Sequence, residues 1–185
     1  FRGNEKDVLD RYYQCAKKYS FSTIVRITAD CPLIDPSIVD KVIEKFFSGN
    51  YDFATNTLVR TFPIGTDVEV FSFNALEKAW KSAQLPSERE HVTPYIRNKG
   101  NFKTVNVEND KNISNLRLTV DRMEDFKLIK EILNNISVSP IHLEDILELF
   151  LRKPDLIEIN RHINHAEGFN KSLKEDQEYS KQTKK

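Results

Sequence analysis

Ile24-Val-Arg-Ile-Thr-Ala-Asp-Cys-Pro-Leu-Ile-Asp-Pro36 decides how the chain reads. Its first half is β-branched and predicts a strand over residues 23–28, and its second half is an acidic, proline-bounded turn. Asp35 is placed to cap a following helix, with Pro36 in the first turn. A second stretch, Leu116-Arg-Leu-Thr-Val-Asp121, predicts another strand, within residues 115–120, that runs into Asp121-Arg-Met-Glu-Asp125. Carboxylates at the C-terminal ends of two strands lie where open α/β sheets keep their ligand crevice. Asp30 and Asp121 are therefore expected to converge on one Mg²⁺ ion, since a hard cation takes carboxylate oxygens and shares its sphere with phosphates and water. That pairing points to an enzyme that handles nucleotides.

Working outward, apolar residues at helical spacing predict helices over 7–19, after 35, 74–84, 123–135 and 142–152. Short strands are expected at 51–55, 66–71 and 103–107, with Pro63 and Gly65 marking a turn. Ser87-x-x-Glu90 has the form of a capping box, and Asp121 with Glu124 has an acidic version of it. Strands alternating with helices predict an α/β sandwich with a mostly parallel sheet. From about residue 170 the chain is polar and lysine-rich without apolar periodicity, so residues 170–185 are expected to be a disordered tail.

Composition narrows the function classes. Lysine plus arginine equals aspartate plus glutamate, 28 each, so no basic footprint for nucleic acid or an anionic membrane is present. Apolar residues make up 39%, with no run near the roughly 20 that a membrane helix needs. Cys15 and Cys31 form no C-x-x-C pair, so a disulfide framework or zinc site is not expected. A cytoplasmic protein is the plain expectation. The chain opens on Phe1 rather than methionine, as a processed product or a sequence begun mid-protein would.

Each candidate residue has a structural alternative. Asp30 could be a turn former, and Asp121 an N-cap. Asp67 and Glu69, two apart on a strand, share a face that is either solvated or a polar wall for sugar hydroxyls. Arg89 could fork onto a carboxylate or phosphate, while Glu90 reads as a cap and His91 as more often structural. Arg2, Gly3, Asp7 and Arg11 cluster where a helix begins, near phosphate or merely complementing the dipole. His162-x-x-His165 lacks a third ligand.

Several motifs in one order resemble a known family. Phe1-Arg-Gly-x-x-x-Asp-Val-Leu-Asp-Arg-Tyr12, Val25-Arg-Ile-Thr-Ala-Asp-Cys-Pro-Leu-Ile-Asp35 and Glu88-Arg-Glu-His-Val-Thr-Pro-Tyr95 are three of them. Arg117-Leu-Thr-Val-Asp121 with Glu124-Asp125, and Asn160-x-x-Ile163 through Glu167-Gly168, complete the set over roughly residues 1–176. They resemble the cytidylyltransferase family of spore coat polysaccharide biosynthesis protein F, related to acylneuraminate and 3-deoxy-manno-octulosonate cytidylyltransferases. The resemblance implies a Rossmann-like, glycosyltransferase-A-like nucleotidyltransferase fold, a three-layer sandwich over residues 1–169. It implies transfer of CMP from CTP to a sugar, an acidic one, with release of pyrophosphate, in surface polysaccharide synthesis. It also implies a homodimer, paired through an acceptor and dimerisation segment at about 62–100.

By the same resemblance Asp30 and Asp121 hold Mg²⁺. Arg2, Gly3, Asp7, Thr28 and Ala29 lie toward the nucleotide, and Asp67, Glu69, Arg89, Glu90 and His91 toward the acceptor. The family's basic, glycine-containing phosphate loop precedes the Phe-Arg-Gly motif. The five glycines here form no such loop, so this stretch alone is expected not to turn over CTP. Arg122-Met123 also departs from the family, where a small residue or proline is commoner. A metal-dependent glycosyltransferase would want an Asp-x-Asp spacing that Asp30-Cys-Pro breaks, and a non-catalytic dimerisation module would need no metal.

Overall fold

The computed structural model describes residues 1–99, 101–163 and 167–182. Helix α1 (Val8–Lys18) is capped by Asp7, whose carboxylate accepts from Asp10 N–H. Strand β1 (Thr23–Arg26) leads through the acidic turn into α2 (Pro36–Phe47), followed by β2 (Phe53–Thr55) and β3 (Glu69–Ser72). Helices α3 (Phe73–Ser82), α4 (Pro86–His91) and α5 (Pro94–Asn98) precede β4 (Thr104–Asn106). Helices α6 (Met123–Asn135), α7 (Leu143–Arg152), α8 (Asp155–Glu158) and α9 (Glu167–Gln182) complete the order.

The strands form one sheet in the order β1-β3-β2-β4. Side chains alternate across it. Ala54 and Val70 face a core with Val42, Leu118, Leu128, Ile132, Ile146 and Leu149. Phe53 and Phe71 face a second core with Leu9, Tyr13, Leu76, Ala79 and Ile96. Helices α2, α6 and α7 thus cover one face, and α1, α3 and α5 the other, which is the expected three-layer α/β sandwich. Residues 62–100 supply the inner strand β3 and helices α3 to α5, so this segment belongs to the layered body. Among the described residues no helix is long and apolar enough to cross a membrane.

The sheet is mixed rather than mostly parallel. β3 runs antiparallel to both β1 and β2, and only β2–β4 is parallel. The reason is the β2–β3 connection, which has no helix to carry the chain back for a parallel return. β3 also starts later than the alternation predicts, because the buried Asn56 side chain replaces the ladder at its entrance. Asn56 Nδ2 donates to Thr66 C=O at 2.7 Å, and Val68 N–H donates to Asn56 Oδ1 at 2.9 Å. The expected strand at 115–120 is an extended segment with a single parallel bridge, Ile64 to Arg117.

Asp35 caps α2 as expected, accepting from Ser37 N–H at 2.7 Å. It is buried and also takes Leu143 N–H at 2.7 Å and faces His142 Nδ1 at 3.0 Å, so one carboxylate begins two helices. Both predicted capping boxes are displaced. Asp125, not Glu124, caps α6 by accepting from Arg122 N–H, and Glu88, not Glu90, caps α4 by accepting from Leu85 N–H. Residues 170–182 of the expected disordered tail at 170–185 are helical, as the greater part of α9. α9 contacts α4 through polar groups: Ser87 N–H and Oγ donate to Asp176, and His91 Nε2 lies 2.8 Å from Ser172 Oγ. His165, half of the paired-histidine motif, lies outside the described residues.

Candidate active site

Three segments meet beyond the C-terminal end of β1 and enclose a cleft of about 460 Å³. The first is the turn after β1, closed by Cys31 N–H to Thr28 C=O at 3.2 Å, with Asp30 at its tip. The second is the extended run from Leu116 to Asp121. Val120 N–H donates to Asp30 C=O at 2.8 Å, and Thr119 Oγ1 donates to Asp30 C=O at 3.0 Å and Oδ2 at 3.1 Å. The third is the turn through Ile64 and Gly65. Ile64 N–H donates to Leu116 C=O at 3.0 Å, and Leu118 N–H donates to Ile64 C=O at 2.7 Å. Gly65 has φ +94, and a Cβ there would meet Thr119 N at 2.4 Å and Leu118 C at 2.5 Å. Only glycine permits that backbone and that approach.

The cleft is lined by Asp30, Asp67 and Asp121, with Arg60 and Arg117 among them. Arg60 forks onto Asp67 through two parallel bonds of 2.6 and 2.7 Å. Arg117 Nη2 donates to Asp121 Oδ2 at 2.7 Å and to Asp125 Oδ2 at 2.8 Å, while its Nε donates to Asp125 Oδ1 at 2.9 Å. Asp125 also accepts from Asn160 Nδ2 and from the N–H groups of Asp121 and Arg122. Burial opposes its ionisation, but these donors, Arg117 foremost, outweigh it and bring its pKa down to about 2. Burial pushes the Cys31 thiol up to about 11, so Cys31 lines the cleft as a neutral group and not as a nucleophile.

The expected pair Asp30 and Asp121 therefore share one cleft, and Thr28 and Asp67 join them. Ala29 is exposed on the turn beside them. The remaining candidates lie elsewhere. Glu69 is buried, bonded to Arg26 at 2.6 Å and to Thr93 Oγ1 at 2.6 Å, and does not line the cleft. Asp7 takes Arg89 Nη2 at 2.5 Å while capping α1, and Arg89 also donates to Trp80 C=O. His91 meets α9, Glu90 is exposed, and Arg2 and Gly3 are exposed before α1. Asp125 and Asn160 stood in the family-like motifs without a role, and Arg60 was not singled out, because their partners are set by tertiary contacts. Arg60 stands seven residues from Asp67 across a Pro-Gly turn, which is the one hint available.

A divalent cation fits the donor set. Among the described residues no group of three or more His, Cys, Asp or Glu is arranged to hold a metal by itself. Two cleft carboxylates completed by phosphate and water suit Mg²⁺, which seldom takes an all-protein cage.

The sequence profile of the cytidylyltransferase family matches residues 1–179. An uncharacterized protein of Methanocaldococcus jannaschii is 39% identical over 166 residues, spanning 88% of this chain and 67% of that protein. The spore coat polysaccharide biosynthesis protein SpsF of Bacillus subtilis is 32% identical over 160 residues, spanning 84% of this chain and 65% of that protein. A solved cytidylyltransferase from Leptospira borgpetersenii superposes with a TM-score of 0.83 at 38% identity, covering 89% of this chain and 70% of that one. The chain thus spans about two thirds of the length of these relatives. It belongs to the cytidylyltransferase family, and its fold is the Rossmann-like nucleotidyltransferase sandwich.

Proposed function

We propose that the protein transfers CMP from CTP to a sugar bearing an acidic group, with release of pyrophosphate, in surface polysaccharide synthesis. The observation that carries the reading is the convergence of Asp30 and Asp121 on one cleft at the end of β1. Family membership and the likeness to a spore coat polysaccharide biosynthesis protein support it.

In this reading a hydroxyl oxygen of the sugar attacks the α-phosphorus of CTP. The bond to the pyrophosphate oxygen breaks, and the hydroxyl proton passes to solvent. Asp30 and Asp121 would hold Mg²⁺, which when bound neutralises triphosphate charge and stabilises the charge developing on the α-phosphoryl oxygens. The chain's own residues position and compensate. Thr119 fixes the Asp30 carboxylate, and Arg117 fixes that of Asp121. Arg60 brings a guanidinium into the cleft wall, held flat by Asp67, and supports an acidic acceptor. Most of the catalysis is then orientation and electrostatics, with no protein nucleophile required.

Calorimetric titration of CTP with Mg²⁺ into the chain and into the Asp30→Ala, Asp121→Ala double variant tests this. Metal-dependent binding that the variant loses is the expected result. Preference for a UDP-sugar over CTP would overturn the reading in favour of a glycosyltransferase.

A further inference from the structure

Arg117 does more than the two carboxylate positions require. Its side chain is 6% exposed and Asp125 is fully buried, yet the same Nη2 that bonds Asp125 reaches forward to Asp121, whose side chain is 53% exposed. Asn160 closes the rear of the group by donating to Arg117 C=O at 3.0 Å and to Asp125 Oδ1 at 2.9 Å. The guanidinium therefore stands between a buried carboxylate and a cleft carboxylate, in contact with both. A guanidinium stays protonated at any working pH, so Asp121 presents to the cleft a carboxylate whose charge is permanently shared. Among the described residues Asp30 has no such cation; its carboxylate accepts from the Thr119 hydroxyl.

We propose that Arg117 is a positioning residue that weakens the cleft for a bare divalent cation, so that phosphate oxygens are needed to complete the cation's site. The proposal rests on the reading of Asp30 and Asp121 as the cation pair. It makes a prediction opposite in sign to that of a purely structural role. If Arg117 only braced the turn at residues 120–122, its loss would disorder Asp121 and weaken the cation. If it also shares the Asp121 charge, replacing it by a neutral hydrogen-bonding group tightens the cation.

The test is Mn²⁺ binding to the chain, read by loss of the free-ion paramagnetic resonance signal, without nucleotide. The variants are Arg117→Gln with Asp125→Asn, which neutralises the buried pair together, Arg117→Gln alone, and the charge-keeping Arg117→Lys, each checked for folding by circular dichroism. The double variant removes the Asp125 charge along with the guanidinium, so its tightening should have the same sign and be smaller than that of Arg117→Gln alone. For Arg117→Gln alone the expected result is tightening on the order of tenfold, from removing one positive charge a few ångströms from the ligand in a partly solvated cleft. Adding Asp30→Ala should abolish the gain, and Arg117→Lys should stay near the unmodified chain. Equal or weaker binding in the neutral variants, with binding to the unmodified chain still dependent on Asp30, overturns the role of Arg117 and leaves the cation pair standing. Mn²⁺ binding indifferent to both Asp30 and Asp121 overturns the pair and this proposal with it.

Discussion

Thr119 Oγ1 lies 3.1 Å from Asp30 Oδ2 and 3.0 Å from Asp30 C=O, a contact across 89 positions of sequence. One hydroxyl thereby fixes both the backbone and the carboxylate of the turn after β1. Thr119 is itself buried, beneath the turn that holds Gly65.

Thr119→Val keeps the shape and removes the hydroxyl. We expect a loss of about 1 kcal/mol in urea unfolding, with weaker Mn²⁺ binding, because the half-buried Asp30 carbonyl keeps only Val120 N–H and the Asp30 carboxylate loses its restraint. Thr119→Ser should restore both.

Gly65→Ala should be far more damaging than its single methyl suggests. The positive φ and the 2.4 Å approach to Thr119 N give the new Cβ no space, and the obstructing atoms are backbone. The expected cost is roughly 2–4 kcal/mol in chemical denaturation, with the cleft walls at Ile64 and Leu118 forced apart.

Acid stability should depend on Asp125. Its folded pKa of about 2 lies below the unfolded value near 3.9, so its ionised form contributes stability that is complete above about pH 4. That contribution is lost as pH falls toward 2. In Asp125→Asn the unfolding free energy should be lower at neutral pH and lose this part of its slope between pH 4 and 2.

His142 acts in the opposite direction. The hydrogen bond to Asp35 raises its pKa, and the nearby Asp35 charge adds to the effect. A raised histidine contributes stability that is complete below its unfolded pKa and lost as pH rises through the folded one. Nuclear magnetic resonance titration should place His142 above the ordinary value near 6.5, and His142→Gln should flatten stability across that window.

The sequence exposed the elements whose cues are local. The α2 start followed from Asp35 and Pro36, and the span of α6 from apolar spacing alone. The capping boxes kept their three-residue offset but moved along the chain. Pro86 fixes the first turn of α4, so the cap falls to Leu85 and Glu88. At α6 the buried Arg117 draws the capping role to Asp125. What local pattern could not show was anything settled by a distant partner. The Asn56 side chain delays β3, and Asp176 anchors α9 to Ser87 across 89 positions. The carboxylates Asp30, Asp67 and Asp121 were legible because each follows or opens a strand-like run. The pairing of Arg60 with Asp67 and of Asn160 with Asp125 was not, because only the fold brings these side chains together.

The most direct test of the central claim is paramagnetic broadening of backbone amide signals by substoichiometric Mn²⁺ in the presence of CTP. Broadening should centre on residues 28–31 and 119–121 and be lost in the Asp30→Asn, Asp121→Asn variant. Broadening centred elsewhere, or retained in that variant, would contradict that claim.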